Sequence, residues 1–220
     1  MILGDCTFYL PGMTLESFGE ACGFRSASTI DMFGSPTIKA DLQEPPSPEL
    51  MGRFGLIIDA GTLFCCFDAA GVWRNLLKML TPDGTIFHHA ALSGYFGRSC
   101  YAFQPVLFRD FYHANGFSIE HMAVRSNRAA ADEYRKIEPD AVFSTAANGD
   151  MLAFGKKFER HISVMPADMT IIVTARRVRG QPFQNAMPHI MRTSDLAYMC
   201  RPTLIHGCRA RCQHFCNQTN

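Results

Sequence analysis

Ten residues, Phe54-Gly55-Leu56-Ile57-Ile58-Asp59-Ala60-Gly61-Thr62-Leu63, constrain the fold of this chain more than any others. Leu56 to Ile58 is an apolar run of the length of one buried strand, and an acid, a small residue and a glycine follow at once. In open parallel sheets, ligands bind outside the carboxyl ends of strands, where the chain turns toward a helix. Asp59 stands at such an end, and Gly61 lets the backbone pass close to a ligand. Downstream, Val72, Trp73, Leu76, Leu77 and Leu80 recur at helical spacing and predict a helix over Ala70 to Leu80. Thr81-Pro82-Asp83-Gly84 is a turn signal, and Thr85-Ile86-Phe87-His88-His89-Ala90 is a second strand. Strand, acidic loop, helix, turn, strand is the repeating unit of a parallel α/β sheet.

At 220 residues, 47% of them hydrophobic, the chain has enough apolar material for one α/β domain with an appendage. The formal net charge of +1 gives no global pull toward nucleic acid or an anionic membrane, so nucleic acid is not an expected partner. No apolar run approaches the roughly 18 residues of a spanning helix. Met1 to Asp5 lacks the basic and apolar regions of a signal peptide. A cytoplasmic protein is the expectation. The nine cysteines are an odd number, which argues against a complete disulfide framework. Cys65 and Cys66 have no base nearby in sequence and are expected to be buried structural thiols.

Ile2-Leu3 is expected to be a first strand, with Gly4 turning it into a loop. Thr14 is placed to cap a helix running to about Cys22, with Leu15 and Phe18 facing inward. Ser28-Thr29-Ile30-Asp31 and Thr37-Ile38-Lys39-Ala40-Asp41-Leu42 are two further short strands that run into acids. The prolines of Gln43-Glu44-Pro45-Pro46-Ser47-Pro48 exclude helix and central strand there. Taken singly, Asp31 has the alternative reading of a helix-cap or turn acid, and Asp41 that of a surface-loop acid. Taken with Asp59, at spacings of 10 and 18 residues, they are expected to project from one edge of a parallel sheet and form a polar crevice for a donor-rich ligand.

Ala91 to Tyr101 is a Gly- and aromatic-bearing loop at the same edge, with His88, His89, Tyr95, Arg98 and Tyr101 as polar candidates. A histidine there is suited to removing a proton from a hydroxyl or amine. Adjacent strand residues face opposite sides, so at most one of His88 and His89 is expected to reach a substrate. Gln104 to Phe117 predicts a helix with Leu107, Phe108, Phe111 and Tyr112 inward, ended by Asn115-Gly116. A strand over Ser118 to Val124 follows. Asn127 to Ile137 and Met151 to His161 look helical within an insertion over about 126–168, which is either a cover for the active site or a surface excursion. Met169 to Arg177 is a strong strand. Residues 181–220 form a basic tail carrying Cys200, Cys208, Cys212 and Cys216 with His206 and His214. It contains no C-x-x-C pair, so no metal site is assigned.

These residues together resemble a class I S-adenosylmethionine-dependent methyltransferase. The resemblance rests on the strand ending in Asp59, the Pro82-Asp83-Gly84 turn before the next strand, the helix, Asn115-Gly116-Phe117 and strand that follow, and the run from Asp41 to Pro48. That run is similar to the Asp-Leu-Asn-x-Pro-x-Pro of some members. It covers about residues 1 to 125 and the strand near 170–177. It implies a Rossmann-like, mostly parallel sheet with helices on both faces and an antiparallel last strand beside the sixth, over residues 1–180. It implies S-adenosylmethionine as cofactor, held by Gly4, Asp31 at the ribose, Asp41 and Leu42 at the adenine, and Asp59, Ala60, Gly61 and Thr62. His88 or His89 would then be catalytic, Tyr95, Arg98 and Tyr101 would meet the substrate, and the acceptor would be a small molecule. Two departures bear on activity. Gly4 stands alone in place of a glycine-bearing loop, and Phe64-Cys65 replaces a Glu-His pair. A methyltransferase-like binding protein without turnover is the alternative, and a nucleotide-binding oxidoreductase, lacking G-x-G-x-x-G, the weaker one.

Overall fold

The computed structural model describes residues 1–5, 8, 11–126, 135–136 and 168–181. Strands β1 (Ile2–Leu3), β2 (Thr29–Asp31), β3 (Ile38–Lys39), β4 (Phe54–Asp59), β5 (Leu80–Ser93), β6 (Phe117–Ser126), β7 (Arg135–Lys136) and β8 (Met169–Arg177) form one sheet. Their order is β3-β2-β1-β4-β5-β8-β6-β7. The pairs from β3 to β5 are parallel. The last long strand, β8, inserts antiparallel between β5 and β6, as expected. This is a Rossmann-like, mostly parallel sheet.

Helices α1 (Leu15–Ala21), α2 (Ala69–Met79) and α3 (Pro105–Ala114) accompany it. α1 begins at a capping box: Thr14 Oγ1 accepts from the Ser17 amide, and Ser17 Oγ accepts from the Thr14 amide. Leu15 and Phe18 are only half-buried; the buried residue of α1 is Gly19, where a Cβ would meet Ala27 at 2.9 Å. α2 begins where the Asp68 side chain accepts from the Gly71 amide. α3 carries Pro105 at its first turn, where a missing N–H costs nothing.

α2 and α3 lie on one face, joined by Trp73, whose ring packs against Phe108, Phe111 and Tyr112. Val72, Leu76 and Leu77 of α2, Ile57 of β4 and Ile86 of β5 are fully buried with them. Truncating one of these, as in Leu76→Ala, should cost roughly 2–5 kcal/mol. Ile2 and Ile58, neighbours in register, turn to the opposite face, where they line a groove with Phe18 and Gly19 of α1.

The turn expected at Thr81 to Gly84 is absorbed into β5. Phe54 pairs with Leu80 and Leu56 with Thr85, so the single residue Gly55 of β4 faces four residues of β5, Thr81 to Gly84, and Pro82-Asp83 bulge into solvent. The helix expected over Asn127 to Ile137 gives way at Arg135–Lys136 to β7, paired with Ala123 and Val124. The rest of that segment, the helix expected over Met151 to His161 and the cysteine-bearing tail lie outside the described residues.

Candidate functional site

Register defines the carboxyl edge of the sheet. Leu3, Ile30, Ile38, Asp59 and His88 fall in one row across β1, β2, β3, β4 and β5. Gly4, Asp31, Ala60 and His89 are the next residues along their strands. Asp31, Asp41 and Asp59 therefore share one edge, but their side chains do not share one surface.

Gly4 has φ +94°, in the left-handed region that a side chain disfavours. A Cβ there would stand 3.3 Å from Thr62 Oγ1 and 3.9 Å from Asp31 Oδ2. Asp31 is half-buried; its Oδ1 accepts from the Phe33 amide at 2.8 Å and its Oδ2 from the Asp5 amide at 3.1 Å. One bond per oxygen leaves lone pairs for further donors. Asp41 is half-buried and accepts at Oδ1 from the Gln43 amide. Leu42 is buried in the core, and its carbonyl accepts from Asn75 of α2.

Asp59 behaves otherwise. It is fully buried on the face that α2 and α3 cover. Its Oδ1 accepts from the amides of Gly61, Thr62 and Leu63, at 3.2, 2.8 and 3.1 Å. Its Oδ2 lies 2.8 Å from Nδ1 of His88. Nε2 of His88 meets the hydroxyl of Tyr112, which also accepts from Nε1 of Trp73 at 2.9 Å. An indole can only donate. The one arrangement that gives every proton an acceptor runs from Trp73 N–H to Tyr112 oxygen, Tyr112 O–H to His88 Nε2, and His88 Nδ1–H to Asp59. Burial pushes the Asp59 carboxyl up. The His88 hydrogen bond and the Leu63 and Thr62 amides outweigh that and hold it below the ordinary carboxylate value. Burial, with a smaller push from Asp59, drives the Tyr112 phenol well above its ordinary value despite the Trp73 bond.

Asp59 and His88, expected at the ligand-facing surface, are thus interior. His88, with both ring nitrogens engaged and no exposed surface, is not positioned to reach a substrate. His89 turns to the other face and is half-buried. Burial lowers its pKa; Asp59 opposes this and Arg125 adds to it. Ala60 is exposed and Gly61 half-buried, with the Phe64 ring 3.5 Å from where a Cβ on Gly61 would sit. Phe64 in turn meets Tyr95 edge-on at 5.4 Å.

Tyr95 has φ +61°, held by its amide bond to Asp168 Oδ1 at 3.0 Å. The Arg98 guanidinium lies over the Tyr95 ring at 4.7 Å and pairs with the same Asp168 oxygen at 3.4 Å. Tyr101 donates to the Phe67 carbonyl at 2.7 Å and stacks on Phe103. Burial is the main force raising the thiols of Cys65 and Cys66, the latter to about 11. Neither is a ready nucleophile, although Cys65 is exposed rather than buried.

Trp73, Tyr112 and Asp168 are participants that sequence reasoning missed. Buried Trp and Tyr seek partners for their polar ends, which was the available signal for the first two. No local signal marked Asp168.

No protein-family model matches the chain, and no curated protein matches it. Among solved structures it is similar to the [4+2]-cyclase SpnF, at 16% identity and a TM-score of 0.41, over 74% of this chain and 60% of that one. It thus spans about 60% of the length of that protein. It is also similar to an S-adenosylmethionine dependent methyltransferase from Mesorhizobium loti, at 15% identity and a TM-score of 0.36, over 80% of this chain and 89% of that one. At such identities and scores the activity of neither protein transfers to this chain.

Proposed function

We propose that the chain is an S-adenosylmethionine-dependent methyltransferase acting on a small-molecule acceptor at oxygen or nitrogen. The observation that carries this reading is the junction of Gly4, Asp31 and Thr62 at the ends of three adjacent strands. The donor set fits the cofactor. Gly4 leaves backbone exposed to close approach, and Asp31 keeps acceptor capacity suited to a sugar diol. Asp41 with Leu42 would hold the adenine, and Ala60, Gly61 and Thr62 would flank the remainder. When bound, the cofactor supplies an electrophilic methyl group on a sulfonium.

His89 would accept the acceptor's proton, since its lowered pKa keeps the imidazole neutral at pH 7. Tyr95, Arg98 and Tyr101 would border the acceptor, with Arg98 already engaged by Asp168. Among the described residues no helix is long and apolar enough to cross a membrane. The test is thermal: S-adenosylhomocysteine should raise the melting temperature, and Asp31→Ala should abolish that rise. A wild-type protein that gains nothing from the compound contradicts the reading.

Phe64-Cys65 favours a second reading, a binding protein without turnover. Phe64 is buried between Gly61 and Tyr95, and the raised Cys65 thiol offers no acid–base group in the physiological range. Cofactor binding without methyl transfer to any acceptor would select it.

A further inference from the structure

We propose that Asp59 and His88 are positioning residues of the donor site, fixing its shape without touching the ligand. The inference rests on the methyltransferase reading above and concerns how the site keeps its geometry.

Asp59 Oδ1 gathers three consecutive amides, those of Gly61, Thr62 and Leu63. Three donors on one oxygen wrap the chain tightly around it and leave the loop little freedom. Thr62 joins the two sides of the arrangement. Its amide is bound to Asp59, while its hydroxyl oxygen stands 3.3 Å from the point where a Cβ on Gly4 would sit, with Asp31 Oδ2 3.9 Å from that same point. Any shift of the loop away from Asp59 moves that hydroxyl out of the junction.

Asp59 is itself held from behind. His88 donates to its second oxygen, Tyr112 of α3 orients His88, and Trp73 of α2 orients Tyr112. All four side chains are at most 3% exposed. A buried carboxylate in such a chain is a costly way to pack a core, since apolar side chains of equal volume commonly do as well or better. The surroundings are apolar: Ile57 precedes Asp59 on its face, and Ile86 and Ala90 flank His88. What the polar chain supplies that an apolar core would not is a defined orientation for the three amides, and through Thr62 for the donor site.

The test compares two substitutions at one position, with S-adenosylhomocysteine as probe. His88→Leu removes the donor to Asp59 while filling the space. His88→Asn places an amide N–H where Nδ1–H stood. Affinity is measured by calorimetry on protein shown to be folded by its circular dichroism and cooperative melting. His88→Leu should bind about ten-fold more weakly or worse, and His88→Asn should restore affinity to within about three-fold of wild type. A folded His88→Leu that binds like wild type overturns the inference and leaves the donor site standing. Equal weakening by both variants also overturns it, since a purely steric role would not distinguish Asn from Leu. If His88→Leu does not fold, Tyr112→Phe decides. It keeps the ring and removes only the hydroxyl that orients His88, and should weaken binding about two- to five-fold; unchanged binding overturns the inference. Failure of the wild type to bind the probe overturns the donor-site reading and this inference with it.

Discussion

Nδ1 of His88 stands 2.8 Å from Oδ2 of Asp59, and neither side chain has any exposed surface. The pair lies beneath the carboxyl edge, one residue short of the surface on which a ligand would rest. Its state bears on both stability and the site.

Acid should separate wild type from Asp59→Asn. The folded-state pKa of Asp59 is held below the unfolded value of about 3.9. In that window the unfolded chain binds more protons than the folded one, so stability rises with pH. The contribution is present above the unfolded pKa and is lost as pH falls through the lower folded value. The melting temperature of wild type should therefore fall more steeply below about pH 4 than that of Asp59→Asn. Parallel curves would show that the carboxylate carries no such linkage.

Gly4→Ala and Gly97→Ala form a matched pair. Both glycines have positive φ, +94° and +73°, so both substitutions introduce backbone strain of about 1–3 kcal/mol. Only at Gly4 does the new methyl meet Thr62 and Asp31; nothing lies within 4 Å at Gly97. Both variants should lose stability, and only Gly4→Ala should lose S-adenosylhomocysteine binding. Denaturant melts and calorimetry measure the two effects separately.

Arg98 and Asp168 make an ion pair with side chains 63% and 36% exposed. Such pairs are worth about 0–1 kcal/mol. Arg98→Gln should leave the denaturation midpoint nearly unchanged. Asp168→Ala also removes the acceptor for the Tyr95 amide and should cost more, with faster hydrogen exchange at Tyr95. Equal effects would mean that the amide bond contributes nothing.

His89→Gln addresses proton removal. Burial depresses the His89 pKa below 6.5. The neutral, proton-accepting form therefore gains population as pH rises through that lowered value and dominates above it. If an acceptor is methylated, the wild-type rate should rise through that region and then level off. His89→Gln should be slower by about 10²-fold or more and should lack this rise. An unchanged profile would remove His89 from the chemistry.

Much of the architecture was legible because it depends on local periodicity. Helical spacing located α2 to within one residue at each end, and a β-branched run located β8. Strand parity also carries which face each edge residue takes. Ile57 and Asp59 share the parity of β4, and Ile86, His88 and Ala90 share that of β5. The apolar members of each set place the polar one inside. The links from His88 to Tyr112 and from Tyr112 to Trp73 were not legible. They depend on how two helices meet over the sheet, which no local pattern encodes. The Asp168 contact with Tyr95 spans 73 positions of sequence and was hidden for the same reason.

The placement of β8 has a consequence for how the molecule is made. β5 and β6 do not pair with each other; both pair with a strand that begins only at Met169. During synthesis the sheet stays open along its middle until that segment has left the ribosome, with two unpaired edges waiting for it. A product truncated before residue 169 would carry a slit through the sheet rather than a shortened end, and should be lost to aggregation rather than persist as a smaller domain.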